Sequence, residues 1–229
     1  MNQKSYNFVK KTDYIYYLSE IIIDLVTYKK RLSKYQEEIE DLIKNNSDKK
    51  LIEAYLYFSL SDRIKSILFY VFNLIGDETK IAVSYRKFRK ILNKKKSELN
   101  IEIEQLPENE LQILKDFNQH RNWGLHIPES LLRQKREFLK IDEEVIEKYK
   151  NNVVVPYYDY FEIKYLEMLN SEVKDVLSGL NIIEQRIFKD YSALIGEKFS
   201  VEIEQQQVKP YALMKIVEAS FNVQRGKST

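Results

Sequence analysis

Apolar residues that recur every three or four positions, in a chain with little to interrupt a helix, limit this sequence more than any other feature. Between Thr12 and Asn45, the residues Leu18, Ile22, Leu25, Tyr28, Leu32, Tyr35, Ile39 and Leu42 form one stripe with Lys, Glu and Gln between them. An α-helix makes a turn in about 3.6 residues, so this spacing gathers the stripe on one face. Only five glycines and four prolines occur in 229 residues, so there are few places where a helix is forced to stop. The polar run "NNSD" ends the first helix, and Ser47 or Asp48 is expected to cap a second that ends near Gly76. Two long helices joined by so short a loop should lie antiparallel.

The next segment, "SYRKFRKILNKKK" (Ser84 to Lys96), contains no acid. As a helix it places Arg86, Lys90 and Lys94 on one line with Lys87 beside them, and Phe88, Ile91 and Leu92 on the packed side. Such a line tracks a phosphate backbone; the solvated face of a lysine-rich protein accounts for it equally well. "IEIEQLP" (Ile101 to Pro107) alternates apolar and acidic residues and is echoed by "VEIEQQQ" (Val201 to Gln207). Each suits a short strand, and the two could pair, although facing glutamates would oppose it. A helix opened by Pro107 follows. Beyond Pro128, "ESLLRQKREFLK" and "DEEVIEKYK" are expected as shorter helices and "NNVVVP" as an extended connector. A long helix should run from Tyr157 to Leu194, weakened at Gly179, and a last one from Pro210 to Phe221. The expected fold class is all-α: a helical bundle of long antiparallel helices, with room for one or two very short strands. It is read as one domain over 1–222, with 223–229 as a frayed polar tail.

Composition excludes several chemistries. There is no cysteine, which removes disulfides and thiolate metal sites and suits a reducing compartment. With two histidines, a histidine metal site would need carboxylates to complete it. A net charge of +2 confines any polyanion contact to a local patch. The most apolar stretch, Leu51 to Gly76, could span a bilayer by length, but Asp62, Arg63 and Lys65 interrupt its middle, so it reads as a core helix. The N-terminus lacks a secretory pattern. P-loop, dinucleotide, zinc and nucleophile-elbow signatures are absent. A cytoplasmic protein without a cofactor, metal or membrane partner is expected.

The chemistry-bearing residues crowd into "FNQHRNWGLHIPESLL" (117–132), which holds both histidines and the single tryptophan. On a helix, Leu111, Leu114 and Phe117 share a face, and Arg121 continues it one turn on. Asn118, Asn122 and His126 form a polar line beside it. Pro128 disfavours helical geometry at Ile127, so the helix should end near His126 and leave that ring on a rim, able to exchange protons. A purely structural account uses the same residues: Arg121 pairs with a buried acid such as Asp62, His126 caps the helix, and Trp123 fills space.

"RNWGLH" (Arg121, Asn122, then His126) near the end of an amphipathic helix resembles the signature of the HEPN (higher eukaryotes and prokaryotes nucleotide-binding) domain. That signature is Arg, four to six residues, then His, commonly with Asn, Asp or His after the Arg. The wider string "HRNWGLHIPESLL" looks like bacterial HEPN families similar to abortive-infection proteins. The resemblance covers roughly 107–132 and the helical pattern. It implies a helical bundle that homodimerises and brings two motif copies into one cleft. It also implies a metal-independent ribonuclease of toxin–antitoxin or phage-defence type, with a cognate antitoxin as a possible partner, or a relative that only binds RNA, nucleotide or protein.

The residue types suit that chemistry. Metal-free RNA cleavage uses the substrate's 2′-hydroxyl as nucleophile, and needs a proton acceptor and a cation for the charge developing on phosphate. His126 serves as acid–base, Arg121 as a bidentate phosphate clamp, and Asn122 positions one or the other. One histidine cannot easily be base and acid in one turnover, and a dimer supplies two. Arg86, Lys87, Lys90, Lys94, Asn118 and Trp123 are further RNA-contact candidates, Trp123 through stacking. His120, which the signature does not require, is expected at the surface or in a supporting position.

Overall fold

The computed structural model describes residues 8–78, 83–125 (side chains to 122) and 157–208. The chain divides into two compact units, Met1–Glu197 and Lys198–Thr229. In the first, the described elements are α1 (Lys11–Asn45), β1 (Leu51–Glu53), α2 (Ala54–Gly76), α3 (Tyr85–Leu99), α4 (Glu108–Leu125), β2 (Tyr160–Glu162) and α5 (Lys164–Ile195). This is the all-α helical bundle expected, with one very short two-stranded sheet. No described helix is long and apolar enough to cross a membrane. In the second unit, residues 198–208 carry no helix or strand.

The stripe on α1 becomes its core face: Leu18, Ile22, Leu25, Leu32 and Ile39 are buried, while Tyr28, Tyr35 and Leu42 lie at its edge. At the start of α1, the Asp13 carboxylate accepts the backbone N–H groups of Val9 and Lys10 at 2.9 and 2.8 Å. These bonds satisfy donors that helical geometry leaves open, and they hold the carboxyl below its ordinary range.

α1 packs on α2 and α5, and α4 packs on the same two helices, so these four surround one core. Ion pairs fix the directions. Lys29 meets Glu184 and Lys174 meets Glu40, so α1 and α5 are antiparallel. Arg63 reaches Glu38 while Tyr70 reaches Asp24, which makes α1 and α2 antiparallel as their short connection suggested. α3 closes one side, with Phe88 against Tyr14 and Tyr17 and Arg89 on Asp190 of α5 at 2.7 Å. Burial pushes the Asp190 carboxyl up, against the pull of its bonds from Arg89 and Tyr85. α3 starts at Ser84, whose hydroxyl accepts from the Lys87 N–H, and ends at Asn100 in the left-handed conformation (φ 50°). Asparagine tolerates that conformation better than most residues.

Several expectations need correction. Neither Ser47 nor Asp48 caps α2, which starts only at Ala54 with no side-chain cap at Glu53. The intervening Leu51–Glu53 instead pairs antiparallel with Tyr160–Glu162. That pairing also delays α5, which begins at Lys164 rather than Tyr157. Phe161 seats this sheet, with ring centres 5.1, 5.3 and 4.9 Å from Tyr57, Phe58 and Tyr165. Neither 101–107 nor 201–207 forms a strand. The helices expected within 129–150 and 210–221, the connector at 151–156 and the tail at 223–229 lie outside the described residues.

Gly179 does not weaken α5. It is a buried contact point, where an added Cβ would stand 3.1 Å from the Phe117 ring and 3.3 Å from Ile113. Gly76 is tighter still: a Cβ there would meet the Asn118 backbone nitrogen at 3.0 Å and the Phe117 carbonyl carbon at 3.3 Å. Backbone cannot swing aside as a side chain can. Gly76→Ala should therefore destabilise the fold by about 1–3 kcal/mol despite alanine's better helix propensity. Urea unfolding measures this, and an unchanged midpoint would mean that the α2–α4 approach is looser than described.

Candidate functional site

α4 carries the candidate arginine where the apolar stripe leads. Leu114 and Phe117 are fully or nearly buried, and Arg121, one turn on, is only 9% exposed. A guanidinium cannot shed its charge, so burial requires partners. Nε donates to the Asn73 side-chain oxygen at 2.9 Å, and Nη1 donates to the Asn122 oxygen at 2.9 Å. Nη1 also stands 3.3 Å from a carboxylate oxygen of Asp77, itself 2% exposed. The acid that holds Arg121 is thus Asp77, not Asp62, which is exposed on the far part of α2.

The partners are themselves fixed. Asn73 donates its amide to the Phe69 carbonyl at 2.7 Å, which leaves its oxygen for Arg121. Asp77 directly follows the close approach at Gly76, and its carbonyl accepts the Ser84 hydroxyl at 2.5 Å. The same Ser84 oxygen caps α3. One guanidinium thereby ties the end of α2, the start of α3 and the last turns of α4 into a single cluster. Among the described residues, Nη2 of Arg121 has no partner, so two of its N–H donors remain for another acceptor.

The other candidates separate into groups. Asn122 is exposed and spends its oxygen on Arg121. Asn118 is half-buried, with its backbone against Gly76. His120 is exposed and stacks on Phe72, ring centres 5.7 Å apart, which is the surface position expected of it. His126 and the Trp123 side chain lie outside the described residues, as does the Arg121–His126 geometry.

On α3 the basic line is partly neutralised. Arg86 and Lys90 both pair with Glu78, at 3.1 and 2.5 Å. Lys87 is half-buried, and Lys94 is exposed without an ion pair among the described residues. Among the described residues no group of acidic and histidine side chains is arranged to hold a metal ion.

No family model, curated protein or solved structure matches this chain. The site therefore rests on its own chemistry. Asp77, Asn73 and Glu78 were absent from the sequence-derived site. The available signal was the "GD" step after a long apolar helix, which puts an acid at a helix end facing whatever packs there.

Removing one member of a buried ion pair costs far more than replacing both. Asp77→Ala should lower stability by about 3–5 kcal/mol, whereas Asp77→Leu combined with Arg121→Met should cost much less than the two single changes summed. A double-mutant cycle by chemical denaturation reads this directly, and additive losses would show that the two groups do not depend on each other.

Proposed function

We propose that this chain is a HEPN-like protein acting on RNA, a metal-independent endoribonuclease in which Arg121 and His126 of two subunits drive attack of the 2′-hydroxyl on its phosphate. The observation that carries the reading is the state of Arg121. It sits near the end of α4, five positions before His126, and is held in one orientation from Nε and Nη1 while Nη2 has no partner among the described residues. A cation fixed in advance loses little freedom when charge develops on a phosphate beside it. His126 supplies the proton transfer, and the second subunit supplies the second histidine that a turnover needs. The helical bundle suits the resemblance carried by "RNWGLH". A cytoplasmic toxin or phage-defence component, a homodimer restrained by an antitoxin, completes the proposal.

One observation favours a second reading, a HEPN relative that binds RNA, nucleotide or a protein partner without cutting. Asp77 stands 3.3 Å from Nη1, and a carboxylate that close offsets much of the charge a phosphate would feel. An arginine so paired holds a ligand by hydrogen bonds more than by field.

Incubating RNA with the wild type and with His126→Ala, both in EDTA, separates the readings. Cleavage should survive chelation and fall by about 10²–10⁴-fold in the variant. RNA bound but left intact by the wild type establishes the second reading, and equal cleavage by both proteins overturns the assignment of His126.

A further inference from the structure

We infer that the groove between α1 and α2 is a binding track for single-stranded RNA, in which bases stack on tyrosine and phenylalanine rings and Arg31 supplies the free charge. The ligand class rests on the RNA reading above; the groove does not depend on cleavage. The groove has a volume of about 870 Å³. Its α2 wall runs from Asp62 to Leu74, roughly 18 Å at the helical rise of about 1.5 Å per residue, which is room for a short run of bases. Tyr70 is 39% and Phe69 43% exposed, on a helix whose other face is core. Tyr28 stacks on Tyr70 with ring centres 4.2 Å apart. The Tyr70 hydroxyl is tethered to Asp24 at 2.5 Å, so the ring is held in place rather than swinging into solvent.

Two arginines are set against rings. The Arg31 guanidinium lies 5.3 Å from the centre of Tyr28, and that of Arg63 lies 4.6 Å from the centre of Tyr35. Planar cations beside fixed aromatic rings form surfaces on which a nucleobase of any sequence can stack. A duplex keeps its bases paired and cannot use them, so the preferred ligand is an unpaired strand. The groove also meets the site already described, because Asn73 lines it and accepts from Arg121 Nε.

The balance of charge sharpens the inference. Arg63 pairs with Glu38 at 3.0 Å, and Asp24 accepts the Tyr70 phenol. Among the described residues Arg31 has no ion pair, while Asp62 adds one opposing charge. Such a groove holds bases and gains little from phosphates. Its affinity should therefore depend only weakly on salt, unlike that of a basic face.

The probe is fluorescein-labelled oligoadenylate carrying 2′-O-methyl groups, which block the cleavage nucleophile and leave the bases intact. Fluorescence anisotropy compares this strand with its duplex on the full chain. The wild type should bind the single strand at least ten-fold more tightly. Its log K against log salt should fall with a slope shallower than about −2, at roughly −0.7 per neutralised phosphate. Tyr70→Leu should weaken binding about ten-fold or more, and Arg31→Gln, at an exposed position, several-fold. Ultraviolet cross-linking of a 4-thiouridine strand to the wild type should place adducts on α1 and α2. Single-strand binding that both variants leave unchanged, or adducts confined to α3 and α4, overturns the groove. So does a wild type that ignores the methylated strand. Cleavage of the unmodified strand judges the nuclease reading separately.

Discussion

Two helices of this bundle approach as closely as they do only because residue 76 has no side chain. The Gly76 position faces the backbone of Phe117 and Asn118 and the first side-chain carbon of Phe117, none of which can swing aside, so α2 and α4 meet at close separation. That approach brings Asn73 and Asp77, one turn before and one residue after the contact, within hydrogen-bond range of Arg121. A wider crossing would leave a guanidinium without its acid in a dry site. The cost of such a charge is several kcal/mol, so the glycine and the ion pair depend on one another. The polar cluster follows from the packing.

α5 applies the same logic on a larger scale. Glu184, Arg186 and Asp190 are all buried on it, and each reaches a different neighbour. Glu184 takes Lys29 of α1, Arg186 takes Glu110 of α4 at 2.7 Å, and Asp190 takes Arg89 of α3 at 2.7 Å. An apolar stripe such as Leu166, Leu169, Val173, Leu180, Ile183 and Ile187 tolerates small rotations and sliding. Directional charge pairs do not. Buried pairs contribute little net stability, but a misaligned helix would strand all three charges. α5 acts in this way as the strut that sets the register of α1, α3 and α4, and so the height at which α4 delivers Arg121.

What the sequence made legible was local. The period of three and four located α1 and α4 to within a residue or two, and the continuation of Leu114 and Phe117 into Arg121 placed an arginine at the edge of the core. Interactions between distant segments were not legible. Nothing in "LIE" near residue 51 announces that it pairs with "YFE" near 160, so the second helix was started too early and the last described one as well. The alternation in "IEIEQLP" follows a strand's period, yet its two acids on one face find no partner edge among the described residues. Instead Glu104 serves Arg186 at 2.7 Å from a non-regular segment. Asp62 does not reach Arg121 for a geometric reason: on α2 it lies on an exposed face about four turns before the crossing, whereas Asp77 sits at it. The aromatic groove was missed because its tyrosines fall at core spacing, and only the packed structure shows which of them α1 and α2 leave uncovered.

Under the RNA reading, these features describe one kind of ligand contact. The protein carries a net charge of only +2, its basic helix spends Arg86 and Lys90 on Glu78, and Arg121 shares its charge with Asp77. None of this suits attraction of a polyanion by field alone. It suits recognition through rings and fixed hydrogen-bond donors, where an internal acid that offsets an arginine's charge still fixes its direction. Asn73 joins the two parts, since it lines the groove and fixes the guanidinium. A strand whose bases lie along α2 would run toward Asn73, the residue through which the groove touches the cluster that holds Arg121.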